Sequence, residues 1–274
     1  MDLRILLGVV CAAGCMGERV ATTMHPVRLV GHGHVHIVAD DASIRVVTAQ
    51  VDQVELAVEA HGYDIQRDLD LSITPHGDRV DIIAKTHGQL ALVARRSLHL
   101  EVRMPRDADL EVSSGDGSVD VAQVLGNVDI QTGDGSVAIV GARGTIRLRT
   151  GDGSIDGRDL DGSVEATTGD GSVTLSGRFD VLAAHTSDGS LDATATPGSR
   201  VLQPWLLQSG DGSVALGLPR GLGARIEAST GDGSVTSSIP LQQLGHSRVA
   251  GDINGGGLPI VVRTGDGSIH LSQQ

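Results

Sequence analysis

A tetrapeptide, Gly-Asp-Gly-Ser, recurs with its first glycine at Gly115, Gly133, Gly151 and Gly169, each 18 residues after the one before. Ser187 continues the series as Ser-Asp-Gly-Ser, and further copies start at Gly210, Gly231 and Gly265 after wider gaps that imply loops between units. A second glycine series, Gly126, Gly144 and Gly162, keeps the same period. Each unit therefore reads as two nine-residue halves, a short strand and a turn, twice.

Within a unit the residues alternate as half-buried strands do. Val137, Ile139, Ile146 and Leu148 share one face, and Ser136, Ala138, Arg147 and Arg149 the other. One period earlier stand Val119, Val121, Val128 and Ile130; one period later, Ile155, Gly157, Val164 and Ala166. Equivalent positions stay small and mostly aliphatic, as stacked coils require when each closes its interior only against its neighbours. Composition agrees: hydrophobic residues make up 39% of the 274 but aromatics 1%, so the core is built from Val, Ile, Leu and Ala.

The fold class expected is all-β, a β-solenoid of 18-residue two-strand coils. An antiparallel β-meander or sandwich with Asp-Gly hairpins is the alternative. The constant period favours the solenoid, because coils about 4.8 Å apart must stay in register whereas hairpin loops tolerate length changes. The solenoid is assigned to residues 113–274, and residues 25–112 to irregular coils. The strands expected there are Val27 to Val30, His34 to Val38, Ser43 to Thr48, Gln53 to Ala60, Leu69 to Thr74, Arg79 to Lys85 and Leu98 to Met104. A cap is expected over Leu258 to Leu271.

The first residues carry an address. Arg4, an apolar stretch from Ile5 to Ala13 and small residues before a cysteine read as a secretion signal over residues 1–14. Ala12-Ala13-Gly14-Cys15 resembles the lipobox of bacterial lipoproteins, which implies lipidation of Cys15, a tether over residues 15–24 and a place in the cell envelope, on the outer membrane. An ordinary signal peptide cut nearby is the alternative. No cysteine follows Cys15, so a disulfide framework is excluded beyond it. With 34 acidic against 21 basic residues and Lys85 the only lysine, the chain lacks the basic stripe that nucleic acid requires.

The turn residues form the main candidate constellation: Asp116 and Gly117, Asp134 and Gly135, Asp152 and Gly153, Asp170 and Gly171, Asp188 and Gly189, Asp211 and Gly212, Asp232 and Gly233, Asp266 and Gly267. The expected roles are structural. Asp hydrogen-bonds nearby backbone N–H groups, and the following Gly supplies positive φ. A calcium ladder along Asp116, Asp134, Asp152 and Asp170 is the functional alternative, since carboxylates about 5 Å apart repel by roughly 0.8 kcal/mol even in water. Known calcium loops do not fit; Asp152-x-Ser154-x-Asp156-Gly157 starts like an EF-hand but has Ser163 at its twelfth position. His32, His34 and His36 alternate on one strand, so a neighbouring pair such as His32 and His34 is a weaker metal candidate. No cofactor is expected. Phosphate-loop, zinc-protease and nucleophile-elbow patterns are absent, which argues against an enzyme. Trp205 reads as core packing where the repeat is interrupted, or else as an interaction anchor.

The run Leu98-His-Leu-Glu-Val-Arg-Met-Pro105-Arg-Asp-Ala-Asp-Leu-Glu-Val112 followed by Gly-Asp-Gly-Ser-Val units, with Val51 to Ala60 and Gly77 to Ile83 upstream, resembles a bacterial family of unassigned function described as candidate adhesins of β-strand repeats. The resemblance covers residues 30 to 272 and implies a solenoid in the envelope without catalytic residues. The function expected is a non-enzymatic, adhesin-like binding or scaffolding lipoprotein whose partners are the membrane, through its lipid, and an envelope or surface protein or glycan. A periplasmic structural or stress-sensing protein is the second reading, and a calcium-binding repeat protein the third.

Overall fold

The computed structural model describes residues 19–24, 26–29, 31–87 and 96–274. The expected signal peptide and Cys15 lie outside these residues. The chain is nearly all β and divides into two compact units, residues 1–135 and 136–274.

In the second unit, equivalent strands pair in parallel at the repeat offset. Ile155–Thr168 and Val173–Thr186 align Ile155 with Val173 and Ala166 with Ala184, an offset of 18 residues. This is the solenoid expectation, and it removes the meander. Each coil contributes one strand before the Asp-Gly turn and one after it, so two parallel sheets face each other. Ile155, Val173, Leu191, Val214 and Ile269 are at most 1% exposed, and they form one inward column. Such β-branched and γ-branched side chains suit a pleated, buried surface.

Coil order departs from chain order in this unit. Trp205–Ser209 pairs with Pro259–Thr264, which pairs in turn with Ala224–Thr230. On the other sheet, Val214–Leu218 pairs with Ile269–Gln273, which pairs with Val235–Ser237. Residues 259–273 thus form an inner coil, and the expectation of a cap over Leu258 to Leu271 is overturned. Arg248–Ile253 covers the outer edge of Ala224–Thr230, antiparallel to it, and Gln242–Gln243 pairs with Arg248–Ile253. An antiparallel return blunts a parallel stack without adding another full coil.

The first unit repeats this plan with different strands. His34–Ala39 lies between Arg79–Thr86 and Asp109–Ser114, parallel to both. Ser43–Ala49 lies between Ser97–Pro105 and Val119–Ala122, also in parallel. Antiparallel strands close the stack: Leu69–His76 on Arg79–Thr86, and Gln53–His61 on Ser97–Pro105. Arg19–Thr23, within the expected tether, is a strand antiparallel to Gln53–His61. The seven strands expected upstream of residue 112 are all present, six of them within two residues of their bounds, and the first as Val27–Arg28, its expected end at Val30 lying outside the described residues. A one-turn helix, Ile65–Asp68, has Asp64 as its N-cap, which accepts from Gln66 N–H at 3.1 Å and Arg67 N–H at 3.3 Å.

Candidate functional site along the turn edge

The residue before each turn motif is a buried hydroxyl. Ser114, Thr132, Thr150, Thr168, Thr186, Ser209, Thr230 and Thr264 are all at most 8% exposed. Each hydroxyl with described contacts reaches the preceding coil in space. Thr168 Oγ1 donates to the carbonyl of Gly153 at 2.8 Å, and Thr186 Oγ1 to that of Gly171 at 2.8 Å. Three of these hydroxyls also accept from their own turns: Gly189 N–H to Thr186 Oγ1 at 3.2 Å, Gly212 N–H to Ser209 Oγ at 2.9 Å and Gly233 N–H to Thr230 Oγ1 at 3.1 Å. A buried hydroxyl thus satisfies backbone groups that a sharp turn would otherwise leave unpaired. This column escaped the sequence reading although its signal was present: six of the eight motifs are preceded by Thr and two by Ser.

The role expected of the motif glycines is corrected by their backbone. Positive φ occurs at Gly141, Gly144, Gly162 and Gly177, among others, but at none of the Asp-Gly glycines. Those glycines are needed for close approach instead. A Cβ on Gly171 would overlap the Gly153 carbonyl oxygen, and one on Gly189 that of Gly171. The coils touch backbone to backbone here, and no side chain fits between them.

Every Asp of the motif is exposed, and so is every Ser that follows the second glycine. Among the described residues the turn is tied down by the hydroxyl and not by these carboxylates, none of which enters an ion pair. Asp152, Asp170, Asp188, Asp211, Asp266 and Asp232 follow one another along the second unit, one per coil. Carboxylates at about 4.8 Å intervals repel one another, but one carboxylate per level provides only part of a calcium shell of six to eight oxygens. No group of three His, Cys, Asp or Glu among the described residues is placed to hold a metal ion.

The edge in the first unit gains a member that the motif conceals. Ser114 Oγ lies 3.2 Å from the Asp40 carbonyl and 3.4 Å from that of Ala42. A Cβ on Gly117 would overlap the Ala42 carbonyl oxygen. Asp40-Asp41-Ala42-Ser43 is therefore a degenerate copy of the turn, with Asp41 at the position of Asp116.

The alternating histidines each meet a carboxylate. His32 Nε2 is 3.3 Å from Asp109 Oδ1, His34 Nε2 is 3.0 Å from Glu111 Oε2, and His36 Nδ1 is 3.0 Å from Asp81 Oδ1. These partners come from the flanking strands, Asp109 and Glu111 from one side and Asp81 from the other. Partial burial pushes the Asp81 carboxyl up, but hydrogen bonds from Arg79 and His36 outweigh it and hold the group below the usual carboxylate range. A second charged corner links Arg178 to both Asp161 and Asp180, with Arg200 on Asp180 at 3.3 Å. The Arg178 guanidinium, in a two-pronged contact at 2.8 and 2.9 Å, holds Asp180 low against the opposing effect of burial.

Trp205 belongs to the core. It is fully buried, edge-on to Phe179 with ring centres 6.2 Å apart, and its Nε1–H donates to the Asp180 carbonyl at 3.4 Å.

Two solved structures are similar over 94% of this chain and 100% of their own. A candidate adhesin from Bacteroides fragilis shares 10% identity with a TM-score of 0.40, and a candidate cell adhesion protein from Clostridium sporogenes shares 9% with a TM-score of 0.29. No curated protein matches the sequence. Residues 34–272, nearly the whole described chain, match one family, and the chain belongs to it: Toastrack DUF4097.

Proposed function

We propose that the chain is a non-enzymatic binding or scaffolding module of the cell envelope, held by a lipid on Cys15, whose ligand is an extended surface glycan or protein. The observation that carries this reading is the exposed serine column of the second unit. Ser172, Ser190, Ser213, Ser268 and Ser234 follow one another on successive coils and line a shallow groove of about 550 Å³ with Thr174, Asp192, Thr236 and His270. Small hydroxyls repeated at one coil spacing, with the single carboxylate of Asp192 beside them, offer hydrogen bonds to a long, repeating ligand better than to a compact one. The rigidity of stacked coils lowers the ordering cost of such binding.

The test has two arms. The purified protein is screened on arrays of envelope and host glycans and proteins, where specific binding that weakens in a Ser190→Asp, Ser213→Asp double variant is expected; an array without any hit sinks the reading. Protease is then added to intact cells, with Cys15→Ala as the anchoring control. Digestion on intact cells supports surface display, and release of the variant into the soluble fraction supports the lipid. Protection until the outer barrier is opened favours a periplasmic scaffold or stress sensor instead.

A further inference from the structure

In the second unit the coil made by residues 259–273 is laid down out of turn. The chain completes Trp205–Ser209 and Val214–Leu218, and then places Ala224–Thr230 and Val235–Ser237 two coil positions further along. Only after the antiparallel return of Arg248–Ile253 does it drop Pro259–Thr264 and Ile269–Gln273 into the space left between them. Residues 259–273 alone fill the level between these two coils, and the backbone of both walls pairs only with them on that side.

Both walls are patterned for a coil of this kind. Ile260 lies between Trp205 and Ile226, Val262 between Leu207 and Ala228, and Ile269 between Val214 and Val235. Ile260, Val262, Ile269 and Leu271 are completely buried. The hydroxyl column passes through the insert as well: Thr264 Oγ1 donates to Gly212 at 2.7 Å, and Thr230 Oγ1 donates to Gly267 at 2.7 Å. These contacts use features that the coils of this unit repeat, a mostly aliphatic inward row and a buried hydroxyl ahead of an Asp-Gly-Ser turn, so nothing in them requires that the insert come from the same chain.

The connection leading into the insert is built as a hinge. Asn254, Gly255, Gly256 and Gly257 have φ of 49°, 89°, 78° and 150°, four successive residues in a region most side chains avoid. Extending this segment releases that conformation and lets residues 259–273 reach away from their own gap.

We propose that the coil of residues 259–273 is exchangeable, and that the gap between residues 205–218 and 224–237 accepts the same coil from a second copy of this chain. Reciprocal exchange rebuilds every inter-coil contact in each copy and changes only residues 254–257, which is the condition under which swapped dimers form cheaply. Closure within one chain wins in dilute solution, because the tethered coil has the higher effective concentration. Refolding at high protein concentration favours exchange.

The experiment uses the full chain with Cys11 and Cys15 replaced by Ser, so that only introduced thiols react. Ala215 and His270 are register partners on the outer face of Val214–Leu218 and Ile269–Gln273, as are Gln208 and Arg263 on the other sheet. One chain carries Ala215→Cys and another carries His270→Cys; they are unfolded, mixed, refolded together and treated with a short bis-maleimide. A chain carrying both substitutions, and the Gln208→Cys, Arg263→Cys counterpart, identify which pair cross-links within a folded molecule. With that pair, covalent heterodimers whose share rises with the protein concentration during refolding are expected. Cross-linking confined to the doubly substituted chain at every concentration overturns the proposal.

Discussion

The Thr264 hydroxyl donates to the Gly212 carbonyl at 2.7 Å across 52 residues of sequence, while Thr186 makes the same bond to Gly171, at 2.8 Å, across 15. The bond is identical because it belongs to the coil and not to the connection. Replacing Thr186 with Val keeps the shape but leaves the Gly169 and Gly171 carbonyls and the Gly189 N–H without this partner. A loss of about 1–3 kcal/mol is expected from the stranded backbone groups. Thr186→Ser, which keeps the oxygen, is expected to lose less. Urea unfolding followed by the fluorescence of Trp205, the only tryptophan, reads both; a Val variant as stable as the parent would show that the column is incidental.

Gly171 and Gly77 separate two reasons for glycine. At Gly171 an added methyl meets backbone, and carbonyls held in a ladder on both sides have nowhere to go. Gly171→Ala is therefore expected to cost about 3 kcal/mol or more, at the upper end of overpacking. Gly77 lies in a tight turn at φ 70° with open space around it. There Ala pays only for the left-handed backbone, about 1–2 kcal/mol. Equal denaturation midpoints for the two variants would contradict the close-approach argument.

Much of this was legible in the sequence, for a physical reason. The alternation that marks Val137, Ile139, Ile146 and Leu148 as inward is a local consequence of the pleat, and all four are buried. The 18-residue period could be read because parallel coils hold register. Coil order could not, since Ile260 and Val262 carry the same aliphatic signature as any other inward pair and fit any gap of that width. The turn at Asp40-Asp41-Ala42 was hidden because only the Asp and the following Ser match the motif. The role of the motif glycines was misread because a glycine admitted by crowding and one admitted by φ look alike in sequence.

Asp180 and Asp81 are among the carboxylates expected to weaken the fold in acid. Arg178 holds the Asp180 carboxyl, and Arg79 and His36 the Asp81 carboxyl, below the ordinary value of 3.8. A carboxylate whose folded pKa is depressed contributes stability above its unfolded pKa, and that contribution disappears as pH falls through the folded pKa. Stability is thus expected to fall from about pH 4 downward, near the unfolded value for Asp. Asp180→Asn should be less stable at neutral pH and should lose less between pH 4 and pH 2. Urea midpoints across that range decide it: parallel curves for parent and variant would remove Asp180 from the acid response.

The exposed carboxylates from Asp152 to Asp232 separate calcium binding from simple charge repulsion. One carboxylate per coil, with the motif serine as its nearest repeated neighbour in sequence, falls short of the oxygen shell calcium takes. Like charges about 4.8 Å apart nevertheless repel along the whole edge, and salt screens exposed charges over about 8–10 Å near physiological strength. The melting temperature is therefore expected to rise with sodium chloride, and to rise no further when millimolar calcium replaces chelator at constant ionic strength. A folded-state ion site would instead add stability that grows with the logarithm of calcium concentration. Asp170→Asn and Asp188→Asn together, which thin the charge in the middle of the row, should raise the melting temperature at low salt and have little effect at high salt. If that variant melts lower at every salt concentration, the carboxylates hold the turns themselves, and repulsion is the smaller effect.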